Sequence, residues 1–380
     1  MEEHFKKIVK IQKELRDKVS PAGKPYNICA IDPTPTYFDG NLLKGALIFY
    51  GGDGCSWNTK TGGCFMCPYS TAHERIGYTQ EHVKNQIEYL ENVEEIKDLE
   101  LVYLFPYSSF DEKEVSFANQ KRLWKVLSEL DNLKYVVFES RPEYITEKIL
   151  EGISDILPDK KVCVYIGLET SCDFIRKYCI NKGFSFDMFR KKCELLKEYN
   201  MNACAFVLLK PPFLTEREAI TDCVSTITDC VDTVTNIILM CANTARHTIT
   251  ELLSEMGVYS PPWLWSVAEV IGQLDREQRK KVQLGGIYSE YTAEGVADYV
   301  QVDHTPAFYE FPKNCGVCDF DVAKSLIEFN LKKRLDLPWC TCKREWEKEL
   351  QKHFPPLQER LPHLYEELIQ YAASRREGQQ

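Results

Sequence analysis

Long hydrophobic runs are missing from this 380-residue sequence. No apolar stretch approaches the roughly 20 residues that a membrane-crossing helix needs, which argues against a helical membrane protein. The opening Met1-Glu2-Glu3-His4 lacks the apolar core of a secretory leader. Low-complexity tracts and internal repeats are missing as well, which leaves out collagen-like, linker-rich and solenoid architectures. Positive charge is in short supply: 47 Lys and Arg stand against 57 Asp and Glu, for a net charge of −10. Nucleic-acid backbones are gripped mainly by Lys and Arg, so extensive direct binding by this chain alone is disfavoured. A local basic patch, or a partner that binds the nucleic acid, is compatible with that balance.

Cysteine, by contrast, is abundant, at sixteen residues. Without a secretory context these thiols point to a reducing cytoplasm and to metal or sulfur chemistry rather than disulfides. Three of them, Cys55, Cys64 and Cys67, form a C-x8-C-x2-C pattern inside a glycine-rich loop. The loop directly follows the apolar run Ala46–Tyr50, which reads as a buried strand. Three thiolates on one loop can ligate three irons of a [4Fe–4S] cluster and leave the fourth open to a small molecule. A structural zinc site needs a fourth ligand, for which His73 is the nearest candidate. Three unrelated buried thiols are the remaining alternative.

Around this loop the chain alternates apolar runs with amphipathic segments. Strands are expected at 46–50, 99–105, 134–139, 162–168, 203–209 and 235–241, with helices between them and a helix over residues 1–18. Six such units predict an α/β fold with a parallel sheet, a partial (β/α)6 barrel rather than a closed eight-fold one. The expected organisation is an N-terminal helical segment over 1–40, a core over 41–243 and a smaller cysteine-containing extension over 244–380. Ligands gather at the carboxyl ends of parallel strands, and the three-cysteine loop leaves the end of the first core strand.

Other strand ends carry polar residues. Ser108 and Ser109 follow the second strand, where two hydroxyls can bind a polar ligand or simply form a turn. Glu139 closes the third, with Arg141 beside it, and a buried carboxylate there needs a partner. Glu169 closes the fourth, with Arg176 and Lys182 downstream. Lys210 ends the fifth, ahead of the rigid Pro211-Pro212; it would face a substrate carboxylate or snorkel to solvent.

Past residue 243 the pattern loosens. Trp263 and Trp265 flank the start of a helix and read first as core, and residues 282–288 suggest an added strand. Cys315-x2-Cys318 and Cys340-x-Cys342 have ligand-like spacing. Tetrahedral zinc on four cysteines, a second [4Fe–4S] cluster and unliganded thiols all suit it, with His304 as a substitute ligand. A final helix is expected to begin at Pro362, with Leu364, Leu368 and Tyr371 on one face.

The three-cysteine loop inside a six-fold β/α pattern resembles the radical S-adenosylmethionine (SAM) superfamily, in its Elongator-type branch. Several strings narrow the resemblance to the radical-SAM subunit of archaeosine synthase: Gly54-Cys55-Ser56-Trp57, Glu139-Ser140-Arg141-Pro142-Glu143, Gly167-Leu168-Glu169-Thr170, Cys179-Ile180-Asn181-Lys182-Gly183-Phe184, Leu209-Lys210-Pro211-Pro212-Phe213 and Pro262-Trp263-Leu264-Trp265-Ser266. The resemblance implies that Cys55, Cys64 and Cys67 hold the cluster and that SAM binds its open iron. It further implies that Tyr69 packs near the adenine and that Ser108 and Ser109 hold the methionyl amino group. Glu139 and Glu169 would face the ribose or methionyl part, and Arg176 the SAM carboxylate. An external electron donor would be needed. The implied reaction is a radical lyase step in tRNA modification, cleaving a lysine carbon–nitrogen bond after a partner transferase has attached lysine to a deazaguanine base. Alternatives are a radical SAM enzyme of the same build acting on a small metabolite or peptide, and, more distantly, a non-catalytic iron–sulfur scaffold.

Overall fold

The computed structural model describes residues 1–19, 24–34, 36–38, 41–52, 54–68, 77–106, 108–285, 301–302, 305–306 and 308–377. Tyr69, His73 and His304 lie outside them.

Eight strands make one sheet, and their order in space is their order in the chain. They are β1 (Ala30–Pro33), β2 (Gly45–Phe49), β3 (Leu101–Phe105), β4 (Tyr135–Ser140), β5 (Lys161–Glu169), β6 (Asn202–Leu209), β7 (Asn236–Cys241) and β8 (Val282–Gly285). Strands β2 to β8 run parallel, and β1 pairs antiparallel with β2 from Ala30↔Phe49 to Pro33↔Ala46. The result is an open half-barrel. It is wider than six strands: β8 is the added strand that the apolar run at 282 suggested, and β1 is a short edge strand. Pro33 suits an edge, where no ladder hydrogen bond is required of it. The first forty residues are therefore not only helical.

The helices are α1 (Glu2–Asp17), α2 (Ser56–Thr61), α3 (Gln80–Asn92), α4 (Phe117–Ser128), α5 (Glu147–Ile156), α6 (Phe186–Glu198), α7 (Glu216–Cys230), α8 (Ile249–Glu255), α9 (Leu264–Gln273), α10 (Arg276–Lys281), α11 (Asp319–Lys332), α12 (Lys343–Gln351) and α13 (Leu357–Glu377). Ser116, Thr146, Ser185 and Thr215 cap α4 to α7 by accepting from the third helical amide, which starts each helix at a defined residue after its strand. Between β5 and α6 the chain makes a π-helical turn, Ile175–Ile180, rather than a regular α-helix.

Alternation along the strands separates two faces. Val102, Leu104, Val136, Phe138, Val164, Ile166, Ala205, Val207, Ile237 and Leu239 are fully buried, on the face that the helices cover. Their neighbours Tyr103, Phe105, Glu139, Phe206 and Ile238 point the other way and are only half-buried. That inner face is a bowl lined with rings: Tyr103–Tyr165 centroids lie 6.2 Å apart and Tyr165–Phe206 5.2 Å. Functional groups on the inward rows are thus both held by the sheet and reachable.

The last helix corrects the reading of Pro362. It starts earlier, at Leu357, and Pro362 sits inside its second turn. Proline there removes the bond to the carbonyl of Gln358, an exposed residue where water can replace it. Leu361, Tyr365, Leu368 and Ala372 form the buried stripe, which shares Leu368 with the expected face, while Leu364 and Tyr371 are only partly buried at its side. Among the described residues no helix is long and apolar enough to cross a membrane.

Candidate active site at the open edge of the sheet

After β2 the chain enters the three-cysteine loop. Cys55 precedes the first turn of α2, and Gly62 and Gly63, at φ 82° and 75°, turn the chain back to Cys64. The Cys67 amide donates to the Cys64 carbonyl at 3.2 Å, which closes a tight turn. Arg16 reaches in from α1 and donates to the carbonyls of Cys64 (3.2 Å) and Cys67 (2.6 Å).

The 181–184 string frames the loop from the other side. Asn181, in the left-handed region at φ 61°, donates to the carbonyls of Gly63 (2.8 Å) and Thr61 (3.3 Å), and its own carbonyl accepts from the Trp57 indole at 2.7 Å. The Trp57 ring lies on Gly183, where a Cβ would stand 2.0 Å from Cη2. Only glycine allows that approach, and its φ of 81° demands glycine a second time. Arg141 stands over the indole ring at 4.5 Å and donates to the Lys182 carbonyl at 2.7 Å.

Burial pushes the Cys55 and Cys64 thiols up. Cys64 lies in the field of Lys182, Cys67, Arg141 and Glu169, and Cys55 in that of Cys64, Arg141 and Glu114. The three sulfurs are not all within 4.8 Å of one another. One tetrahedral ion would need them closer, whereas a [4Fe–4S] cluster puts each thiolate on a different iron. The donor set, three thiols on one loop beside Arg16, Arg141 and Lys182, therefore fits a cluster with one open iron.

Glu139 and Glu169 both reach the inner face at the strand tips. Burial pushes the Glu139 carboxyl up to about 8, with Lys182 opposing the rise and Glu169 adding to it. Glu169, at φ 64°, forms an ion pair with Lys182 at 2.5 Å. Burial works against the Lys182 charge, but Glu169 and Cys64 outweigh it and hold the ammonium above the usual lysine range. Gly167 leaves the space that Lys182 fills, since a Cβ there would meet Nζ at 2.3 Å.

The serines divide. The Ser109 amide donates to the Glu139 carbonyl at 2.7 Å, and its hydroxyl accepts from the Glu139 amide at 3.3 Å, extending the sheet past β3. The Ser108 amide donates to the buried Glu114 carboxylate at 2.7 Å, and its hydroxyl lies 3.4 Å from that of Ser140. Arg176 is fully buried, and its guanidinium donates to the carbonyls of Leu168, Thr170 and Phe184 and to Asp173. Those bonds bind the π-helical turn to the end of β5, so Arg176 is spent there, and the cations in the field of the Cys64 thiol are Lys182 and Arg141.

Lys210 neither snorkels nor stands open to a substrate. At φ 63° it turns its ammonium onto Glu216, 2.6 Å away, at the start of α7, with both side chains almost fully buried. Glu216 also accepts from the Ser266 hydroxyl (2.5 Å) and the Trp263 amide (2.9 Å), and Tyr259 donates to the Lys210 carbonyl at 3.0 Å. Sequence patterning alone does not single out Glu216, Glu114 or Arg16, because each sits in an ordinary amphipathic or polar segment. The four C-terminal cysteines do come together, with sulfurs all within 4.8 Å of one another.

The sheet, parallel from β2 to β8 and ordered in space as in the chain, presents the C-x8-C-x2-C loop at its carboxyl edge. No family model matches the chain. It is 31% identical over 352 residues to archaeosine synthase subunit beta of Methanosarcina acetivorans, covering 91% of this chain and 95% of that protein. It is 34% identical over 210 residues to archaeosine synthase subunit beta of Thermococcus kodakarensis, covering 55% and 65%. The chain belongs to the archaeosine synthase subunit beta family. Among solved structures it is similar to methylornithine synthase (11% identity, TM-score 0.42, 92% of this chain and 93% of that one) and to Methanocaldococcus infernus Elp3 (14%, 0.43, 68% and 60%). Likeness of that degree assigns no role to individual residues.

Proposed function

We propose that this chain is a radical SAM lyase of archaeosine formation, cleaving the lysine carbon–nitrogen bond of a lysine-modified deazaguanine in tRNA. The reading rests on the match to archaeosine synthase subunit beta over nearly the whole length of both proteins. In this reading a partner subunit, a lysine transferase, makes the adduct and holds the tRNA, which suits a chain with a net charge of −10. An external donor supplies the electron.

Cys55, Cys64 and Cys67 would hold the cluster, and Tyr69 would flank the adenine. When bound, cluster and SAM supply a 5′-deoxyadenosyl radical that takes a hydrogen atom from the substrate. The chain's own groups orient and shield that chemistry. Ser108 lies beside Ser140 at the tip of β3, a pair of hydroxyls suited to the methionyl amino group. Ser109 fixes the backbone of Glu139, whose carboxyl stays protonated at neutral pH and offers a neutral donor to a sugar hydroxyl. Lys182, held by Glu169 and close to Cys64, is the cation best placed for the SAM carboxylate. Arg176 would act one step back, by holding the strand end that carries Glu169. Lys210 would be a positioning residue acting through Glu216.

The test is anaerobic reconstitution with SAM, a reductant and tRNA that the transferase has loaded with lysine. Archaeosine in the digested tRNA, matched by 5′-deoxyadenosine, is expected. Deoxyadenosine without any change in the tRNA would return the substrate to a small metabolite or peptide, the reading that the acidic surface favours. An intact cluster with no SAM cleavage would remove the radical reading.

A further inference from the structure

We infer that Cys315, Cys318, Cys340 and Cys342 hold one zinc ion in a tetrahedral, all-thiolate site, separate from the cysteine loop of the half-barrel. The separations carry the inference. Cys315 Sγ lies 3.8 Å from Cys318 Sγ and 3.8 Å from Cys340 Sγ, and Cys318 Sγ lies 3.6 Å from Cys342 Sγ. A tetrahedral zinc–thiolate centre with bonds of about 2.3 Å has sulfur–sulfur edges of about 3.8 Å. A [4Fe–4S] cluster instead places its four thiolates on four different irons, at the corners of a cube, and holds them well out of contact. A disulfide would need about 2.05 Å, and all four cysteines are free. The spacing suits one ion in the centre and neither alternative.

The surroundings suit a thiolate centre whose charge is net negative. Cys318 and Cys342 stand immediately before α11 and α12, so each helix directs its positive end at the sulfurs. The Trp265 indole donates to Cys342 Sγ at 3.2 Å and the Asn314 amide to Cys318 Sγ at 3.5 Å. Gly316, at φ 83°, allows the turn that brings Cys315 back to Cys318, and Asp319 ties that turn by accepting from the amides of Asn314 (3.1 Å) and Gly316 (3.0 Å). All four coordination positions come from the chain, which is the closed arrangement of a structural rather than a catalytic zinc.

The site also joins the extension to the barrel. Trp346, in the helix that Cys342 opens, donates to the Ser266 hydroxyl at 2.8 Å, Ser266 donates to Glu216, and Glu216 holds Lys210. The zinc would thus anchor a hydrogen-bonded chain that ends at the tip of β6.

Metal analysis of the anaerobically prepared full chain tests this. About one zinc and about four irons per chain are expected. Cys318→Ser/Cys342→Ser should lose the zinc, keep the iron and unfold at a lower temperature. Cys55→Ala/Cys64→Ala/Cys67→Ala should lose the iron and keep the zinc. X-ray absorption at the zinc edge of the unmutated protein, which requires no variant to fold, should show sulfur only, at about 2.3 Å. About eight irons and no zinc, iron retained in the triple variant in place of zinc, or nitrogen and oxygen ligands around the zinc would each overturn the assignment.

Discussion

Gly183→Ala separates close contact from backbone conformation, because Gly257 offers a matched control. Both glycines have positive φ, 81° and 70°, so alanine at either costs about 1–2 kcal/mol in the left-handed region. Around Gly257 a Cβ would meet nothing within 4 Å, and the backbone term is the whole effect. At Gly183 the Cβ would lie 2.0 Å from Trp57 Cη2, so the indole must shift by more than about 1 Å to regain ordinary contact. That shift strains the bond from Trp57 to the Asn181 carbonyl, worth about 1 kcal/mol, and the stacking of Arg141, worth about another. The expected losses are therefore about 3–5 kcal/mol for Gly183→Ala and about 1–2 kcal/mol for Gly257→Ala. With unfolding entropy scaling with chain length, these correspond to drops of about 4–6 °C and about 1–2 °C in Tm. Trp57 also stands two residues beyond Cys55, so Gly183→Ala should retain less iron after reconstitution, and Gly257→Ala should retain a normal amount. Differential scanning fluorimetry with iron analysis reads both. Equal losses in the two variants would refute the claim that Trp57 braces the cysteine loop.

Three further outcomes follow from the same geometry. Glu139 keeps its proton up to about 8 in the folded chain, whereas the unfolded carboxyl ionises near 4.5, so its contribution is complete below about 4.5 and is lost as pH rises through about 8. The full shift would be worth about 5 kcal/mol, but the bowl is open to water and about 1–2 kcal/mol is expected; Glu139→Gln should flatten that decline, and an unchanged Tm–pH profile would count against it. Arg16→Met removes two charged hydrogen bonds to the loop carbonyls and should speed iron loss to a chelator several-fold with little change in global Tm; wild-type release kinetics would remove Arg16 from the site. Lys210→Met strands the buried Glu216 charge and should cost about 3–4 kcal/mol, with Lys210→Met/Glu216→Gln recovering much of it; a single variant as stable as wild type would show that the pair is not what holds β6 to α7.

Much of the fold was legible because the core strands are short continuous apolar runs, buried on both faces for much of their length. Runs such as Val136-Val137-Phe138 and Val164-Tyr165-Ile166 mark parallel strands, and all six expected core strands lie within two residues of their observed limits. Edge strand β1 was not legible, since Ala30-Ile31-Asp32-Pro33 is short and buried on neither face. Pro362 misled because proline so often opens a helix, while its cost inside one depends on whether water can reach the abandoned carbonyl. In the site, the cysteine spacing and the strand-end glutamates could be read directly. Which cation pairs with which carboxylate could not: Arg176, Lys182 and Lys210 are equivalent as sequence, and only packing assigns them to carbonyls, to Glu169 and to Glu216.

The reach of Arg16 ties the cysteine loop to the last helix. Its helix, α1, is held from behind by α13, through His4 and Glu366 at 3.6 Å and through Glu14 and Arg376. The residue that fastens the cysteine loop therefore depends on a helix at the opposite end of the described chain. Shortening α13 takes that support from α1, so it is expected to show up as iron lost from the cysteine loop rather than as unfolding of the sheet.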